Sequence, residues 1–134
     1  AGDVSPQDAW DYLRTYPALL VDVRTHPEWL FVGMPDLHTT SSRLAAISWK
    51  TYPQFAPNPQ FLESLAREQP EKELPLFFLC RSGGRSLDAA VAATHAGYTQ
   101  AFNVAGGFEG EPDARGHRGM HEGWKAAGLP WKQG

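Results

Sequence analysis

The only cysteine of this chain lies in a loop whose composition suits chemistry with an anionic sulfur. Cys80 follows the apolar run LPLFFL (74–79) and is followed directly by RSGGRS (81–86). Sulfur attacks as the thiolate, and an ordinary cysteine thiol, with a pKa near 8.5, is mostly protonated at neutral pH. The arginines at positions 81 and 85 bring positive charge close to Cys80 in sequence, and opposite charge favours the ionised form. The pattern indicates a nucleophilic thiol.

The glycines and the helix expected after the loop would complete an anion site. Gly83 and Gly84 would let the backbone curl so that successive amides face inward. A helix that begins near Ser86 would point its unsatisfied N–H groups and positive dipole end at the loop. Taken singly, a lone cysteine is more often a small buried hydrophobe, and a Gly-Gly pair is usually a turn. We favour the chemical interpretation because these features coincide in one short stretch.

Length and composition bound the class of protein. With 134 residues and 42% hydrophobic content, residues 1–134 are predicted to form a single domain with a real core. The formal net charge of -3 argues against a broad nucleic-acid interface. The sequence shows no apolar run that would span a bilayer and no signal-peptide pattern at its start. We therefore expect a cytoplasmic protein, or a periplasmic one if a leader has been removed.

Strands and helices are predicted to alternate along the chain. Apolar runs predict strands at 18–23, 44–49, 74–79 and 101–104. Helices are expected after a cap at Ser5, over about 59–68, over about 86–96 and, lastly, up to about Gly128. Nearly all-apolar strands that alternate with helices predict an α/β fold, with three αβα layers and a small, mainly parallel central sheet of four to five strands.

Three candidate stretches should meet at one edge of this sheet, because parallel sheets bind ligands at the carboxyl ends of their strands. Cys80 follows one strand, and Asp22 and Arg24 lie at the end of another. Gly106 and Gly107 follow the strand at 101–104. We expect all of them to lie near the same site.

These features together resemble the rhodanese family of sulfurtransferases. Besides the cysteine loop, the resemblance lies in LLVDVR (19–24) with Glu28 four residues further on, NVAGGF (103–108) and GWKAAGLPW (123–131). Their order and spacing are specific, and they span about residues 5–131. The resemblance implies a rhodanese-like fold, with no bound cofactor and no metal.

The resemblance also implies a sulfurtransferase of the thiosulfate:cyanide type. Cys80 would attack the outer sulfur of thiosulfate, release sulfite and hold the sulfur as a persulfide. A thiophilic acceptor would then remove it: cyanide in vitro, a thiol or a partner protein in vivo. No nucleic acid and no membrane is expected as a partner. The implied anion-binding loop consists of Arg81, Ser82, Gly83, Gly84, Arg85 and Ser86.

The supporting residues allow more than one role. Arg81 and Arg85 would neutralise an anionic donor, although one or both, Arg85 in particular, could instead fold back and brace the loop. Asp22 and Arg24 could orient the cysteine loop. A simple salt bridge between Arg24 and Glu28, holding the segment after the first predicted strand, would be equally consistent with the sequence.

The wall of the pocket is less defined by the sequence. Phe108, Trp29 and Phe31 are candidates, although core packing is the usual role of aromatic side chains. Many rhodaneses carry a G-H-I-P-G-A-like stretch where this chain has FVGMPDLHTTSSRLAAISW (31–49), which is longer and lacks the histidine at that place. This departure leaves the physiological donor open.

Two other functions are compatible with parts of this pattern. Cysteine phosphatases and arsenate reductases place arginine six residues after the cysteine, whereas here Arg85 lies five residues after Cys80, and the shorter loop suits a single sulfur better than a phosphate. A catalytically silent binding domain would usually lack the cysteine. His117 and His121 have a helical ligand spacing, but the glycines around them favour loop histidines over a metal site.

Overall fold

A five-stranded parallel sheet forms the centre of the molecule. The computed structural model describes residues 2–51, 56–81, 84–110 and 123–132. In spatial order the sheet contains β1 (Gly2–Val4), β8 (Ala101–Val104), β7 (Leu76–Leu79), β2 (Leu19–Asp22) and β4 (Arg43–Ala46). All four pairings are parallel. The predicted α/β fold with a small parallel sheet is therefore confirmed, at five strands.

Helices cover both faces of the sheet, because successive side chains of a strand point to opposite faces. Leu19, Val21, Phe78 and Cys80 belong to a core with α3 (Phe61–Glu68) and α4 (Gly84–His95). Leu20, Phe77 and Leu79 face the other core, which contains Ala9 and Leu13 of α1 (Pro6–Thr15). This alternation gives the three αβα layers.

Shorter elements complete the described chain. They are α2 (His26–Phe31), the antiparallel pair β3 (Met34–Pro35) and β9 (Trp131–Lys132), and the antiparallel pair β5 (Lys50–Thr51) and β6 (Ala56–Pro57). None of the helices in the described ranges has the length and apolar character needed to cross a membrane.

The predicted elements match the observed ones with a few differences. The side chain of Ser5 caps α1 by accepting a hydrogen bond from Asp8 N at 3.1 Å, and Gly97 follows α4 with φ of 105°. The helix expected up to Gly128 is wrong, because residues 123–128 form turns rather than an α-helix. Gly123 adopts a left-handed φ of 98° there, which the interior of an α-helix does not accommodate.

Candidate active site

Cys80 lies at the carboxyl end of β7, in the middle of the sheet. The backbone N–H of Val23 donates to Leu79 O at 2.8 Å, so β2 and β7 stay paired up to the residue before the cysteine. The side chain of Cys80 is 1% exposed and faces α3 and α4. Ser82 and Gly83 lie outside the described residues. Gly84 begins α4, two residues earlier than expected, and its φ lies outside the left-handed range, so it is part of the helix rather than of a curl before it.

The first turn of α4 places Ser86 next to the sulfur. Ser86 is fully buried, and its Oγ lies 3.3 Å from Cys80 Sγ. The same hydroxyl donates to Asn103 Oδ1 on β8, and Asn103 Nδ2 donates to Asp3 Oδ1 on β1 at 3.1 Å. Ser86 belongs to the loop predicted from the sequence, whereas Asn103 and Asp3 are not among the predicted site residues. The only available signal was that Asn103 begins the stretch NVAGGF.

The turn after β8 packs directly on the backbone of the cysteine loop. Phe108 N donates to Cys80 O at 2.7 Å, and Glu109 N donates to Arg81 O at 2.9 Å. Gly107 has φ of +62°, and a Cβ atom placed there would come within 2.7 Å of the carbonyl carbon of Arg81. Gly106, with φ of 77°, precedes it in the same turn. Glycine is thus required at position 107 by both backbone conformation and space.

Arg85 holds the cysteine loop in place through an ion pair with Glu28. Its two terminal nitrogens reach the two carboxylate oxygens at 2.8 Å and 3.0 Å, and each side chain is 17% exposed. Glu28 also accepts hydrogen bonds from Thr25 N and Oγ1 at the start of α2. The alternative salt bridge between Arg24 and Glu28 is wrong, because Arg24 pairs with Asp22 instead.

This pairing changes the acidity of both partners. Burial by itself would raise the pKa of Glu28, but the hydrogen bonds and charge of Arg85, with help from Thr25, hold it below its usual value of 4.5. Burial likewise opposes the charged form of Arg85, but the hydrogen bonds and charge of Glu28 raise the pKa of Arg85. Negative charge on Cys80 and on Asp22 acts on Arg85 in the same direction. The guanidinium therefore lies within electrostatic reach of the sulfur.

Asp22 and Arg24 form a buried ion pair that connects the loops around the site. Both side chains are fully buried, with Arg24 Nε 2.9 Å from Asp22 Oδ1 and Nη2 2.7 Å from Asp22 Oδ2. Arg24 Nη2 also donates to Gly33 O at 2.6 Å. The guanidinium carbon lies 4.4 Å from the centre of the Phe108 ring, a cation–π distance. Phe108 is fully buried, so its described contacts support the surrounding loops.

Trp29 and Phe31 were the other two candidates for a pocket wall. Trp29 contributes to a cavity of about 400 Å³ between α2 and α3, together with Ile47, Ser48 and Arg67, among other residues. The described lining of this cavity does not include Cys80. The side chain of Phe31 lies outside the described residues, as do His117 and His121.

Arg81 differs from Arg85 in being exposed. Its backbone carbonyl is fixed by Glu109 and Gly110, while no carboxylate within the described ranges forms a salt bridge with its side chain. Among the described residues, Arg85 and not Arg81 has a carboxylate partner. The site thus combines a buried sulfur, a helix start, one bracing arginine and one exposed arginine.

Comparison with known proteins gives a consistent result. The family model described as a rhodanese-like domain matches residues 5–110. The crystal structure of Rv0390 from M. tuberculosis superimposes with a TM-score of 0.89 at 49% identity, covering 100% of this chain and 98% of that one. The chain belongs to the rhodanese family.

Two curated relatives show how far the similarity reaches. The uncharacterized protein RP600 homolog of Rickettsia rickettsii is 38% identical over 115 residues, which is 86% of this chain and 83% of the relative. The thiosulfate sulfurtransferase GlpE of Actinobacillus succinogenes is 26% identical over 129 residues, which is 96% of this chain and 87% of the relative.

Proposed function

We propose that this protein is a sulfurtransferase that carries a sulfane sulfur on Cys80. The Cys80 thiolate attacks the outer sulfur of thiosulfate, the S–S bond of the donor breaks, and its electron pair leaves with sulfite. The product is the anionic persulfide of Cys80. An acceptor such as cyanide then attacks the outer sulfur, forms thiocyanate and regenerates the thiolate. A thiol or a partner protein would be the acceptor in vivo.

The observation that carries this proposal is the position of the Cys80 sulfur. It lies at the carboxyl end of a central parallel strand, next to the first turn of α4, with the Ser86 hydroxyl 3.3 Å away. A helix start and a nearby guanidinium both favour negative charge, which the sulfur carries before attack and after each transfer. The distant similarity to a thiosulfate sulfurtransferase supports the same reaction.

The two loop arginines have different roles in this proposal. Arg81 is exposed and would meet the anionic oxygens of the donor, which a guanidinium can contact in a forked geometry. Arg85 is held by Glu28 and keeps the loop in place while adding positive charge near the sulfur. The 1% exposure of Cys80 favours slender donors and acceptors.

The remaining expectations form part of the same proposal. The reaction as written needs no metal and no organic cofactor, and its partners are a small anionic sulfur donor and a thiophilic acceptor. We propose that residues 1–134 act as one rhodanese-like domain in the cytoplasm, where a free thiol suits the reducing conditions.

Formation of thiocyanate from thiosulfate and cyanide tests the proposal. The protein should turn over at a rate in the ordinary enzymatic range of roughly 1–1000 per second, and Cys80→Ser should remove this activity. Circular dichroism of the variant provides the folding control. Turnover by Cys80→Ser would contradict the covalent mechanism, and absence of turnover in the unmodified protein would contradict the thiosulfate:cyanide assignment.

A further inference from the structure

A buried chain of polar side chains connects Cys80 to the edge of the sheet. Ser86 Oγ lies 3.3 Å from Cys80 Sγ and is hydrogen-bonded to Asn103 Oδ1. Asn103 Nδ2 in turn donates to Asp3 Oδ1 at 3.1 Å. Asn103 is 4% exposed and Ser86 is fully buried, whereas Asp3, on the edge strand β1, is exposed. The chain thus runs from solvent to the sulfur.

The chemistry of the three side chains fixes the direction of these hydrogen bonds. An ionised carboxylate can only accept, so the amide group of Asn103 must face Asp3 with its NH2 end. The Oδ1 end of Asn103 therefore faces Ser86, and it can only accept as well. A serine hydroxyl has one hydrogen and two lone pairs. When that hydrogen goes to Asn103, the hydroxyl turns its lone pairs toward the sulfur.

We infer that Asn103 is a positioning residue that competes with the Cys80 sulfur for the hydrogen of Ser86. A protonated thiol is compatible with the lone pairs of the hydroxyl, whereas an anionic sulfur requires the hydrogen to rotate toward it. That rotation gives up the hydrogen bond to Asn103 in order to form the one to sulfur. Because one hydrogen bond replaces another, Ser86 stabilises the anionic sulfur little while Asn103 is present.

For sulfur transfer this inference rests on the function proposed above. In the persulfide, the Cys80 sulfur is neutral, so the Ser86 hydroxyl can keep donating its hydrogen bond to Asn103. When the acceptor removes the outer sulfur, Cys80 leaves as an anion and the hydrogen must rotate. Asn103 would thereby favour the loaded state over the discharged anion. Removing its acceptor oxygen should accelerate discharge.

The test uses alkylation of Cys80 by iodoacetamide, which needs no sulfur donor and so remains informative if thiosulfate is not a substrate. Rates are compared at several values from about pH 5 to about pH 9, because only the thiolate is alkylated. Asn103→Leu, similar in size but without an acceptor, should raise the rate below the plateau about fivefold, the value of one neutral hydrogen bond. Ser86→Ala alone should change it less than about twofold, because the hydroxyl contributes little while Asn103 holds its hydrogen.

The double variant separates this role from a loss of local packing. In the Ser86→Ala background, Asn103→Leu should not raise the alkylation rate, because the hydroxyl hydrogen for which Asn103 competes is absent. A gain of the same size in both backgrounds would mean that the substitution merely loosens the site. No gain in the single variant, or a lower rate, would also overturn the inference.

A second pair of variants decides the question if Asn103→Leu does not fold. Asp3→Asn replaces an obligate acceptor with an amide that also donates, so Asn103 can turn its NH2 end to Ser86. Asn103 then no longer accepts the hydroxyl hydrogen, and alkylation should be about two- to threefold faster than in Asp8→Asn. Asp8 is an exposed acidic residue on α1, so this control removes the same charge. Equal rates in Asp3→Asn and Asp8→Asn would overturn the inference.

Discussion

The ion pair between Glu28 and Arg85 gives the sharpest test of how the cysteine loop is held. Glu28→Gln keeps the shape of the side chain but removes its charge, leaving Arg85 without its carboxylate partner. The pair has two short bonds, of 2.8 Å and 3.0 Å, and only 17% of each side chain is exposed. Charge-assisted bonds contribute about 1.5–3 kcal/mol each; at the low end of that range, and with one neutral bond of about 1 kcal/mol retained by Gln, we expect a net loss of about 2 kcal/mol.

A matched control is available on α3. Glu63 and Arg67 form an ion pair at 3.9 Å with side chains that are 69% and 68% exposed, so Glu63→Gln should cost less than about 0.5 kcal/mol. Urea unfolding at neutral pH should separate the two variants clearly. In thermal unfolding, Glu28→Gln should lower Tm by about 8 °C.

The pH dependence gives this prediction a defined sign. The pKa of Glu28 in the folded protein lies below its usual value of 4.5, so its contribution to the free energy of unfolding is present above pH 4.5. It is lost as the pH falls through the lowered pKa. The difference between the unmodified protein and Glu28→Gln should therefore shrink in acid. Equal losses in Glu28→Gln and Glu63→Gln at neutral pH, or a difference that does not change in acid, would refute this account of the brace.

Two further substitutions test other parts of the site. Gly107→Ala should lower the free energy of unfolding in urea by about 3 kcal/mol or more, because the new Cβ meets the backbone of the cysteine loop and φ stays positive. The control is Gly128→Ala, which also has a positive φ but open space around it. It should lower the free energy of unfolding by only about 1 kcal/mol. Arg81→Ala should raise KM for thiosulfate about tenfold while leaving the free energy of unfolding within about 0.5 kcal/mol, and an unchanged KM would remove Arg81 from the donor site.

The central part of the fold could be predicted from sequence because its signals are local. The strand at 76–79 is apolar throughout, and that at 19–22 is apolar up to its last residue, Asp22. Ser5 and Pro6 mark the start of α1 with recognised capping chemistry. The elements missed were β1, α2 and the short strand pairs. β1 has three residues and obtains its strand character only from pairing with β8. The turns at 123–128 differ from the predicted helix because Gly123 packs with a left-handed φ against the turn after β8, a contact that the local sequence does not reveal.

The candidate site was predictable in its parts but not in its pairings. Cys80, Asp22 and Gly107 could be placed at one sheet edge because each lies at or just after the carboxyl end of a predicted strand. Which carboxylate holds which arginine could not be deduced, since Arg85 and Glu28 are 57 residues apart and come together only through the fold. Asn103 was missed for the same reason: its side chain reaches Asp3, 100 residues away in sequence, across paired strands.

The most direct test of sulfur transfer by Cys80 is the intact mass of the protein after incubation with thiosulfate. One sulfur atom should add about 32 Da, and cyanide should then restore the original mass. Cys80→Ser, treated in the same way, should show no addition. An unchanged mass of the folded, unmodified protein in excess thiosulfate, or an adduct of that size on Cys80→Ser, would contradict the claim that Cys80 carries sulfur from this donor.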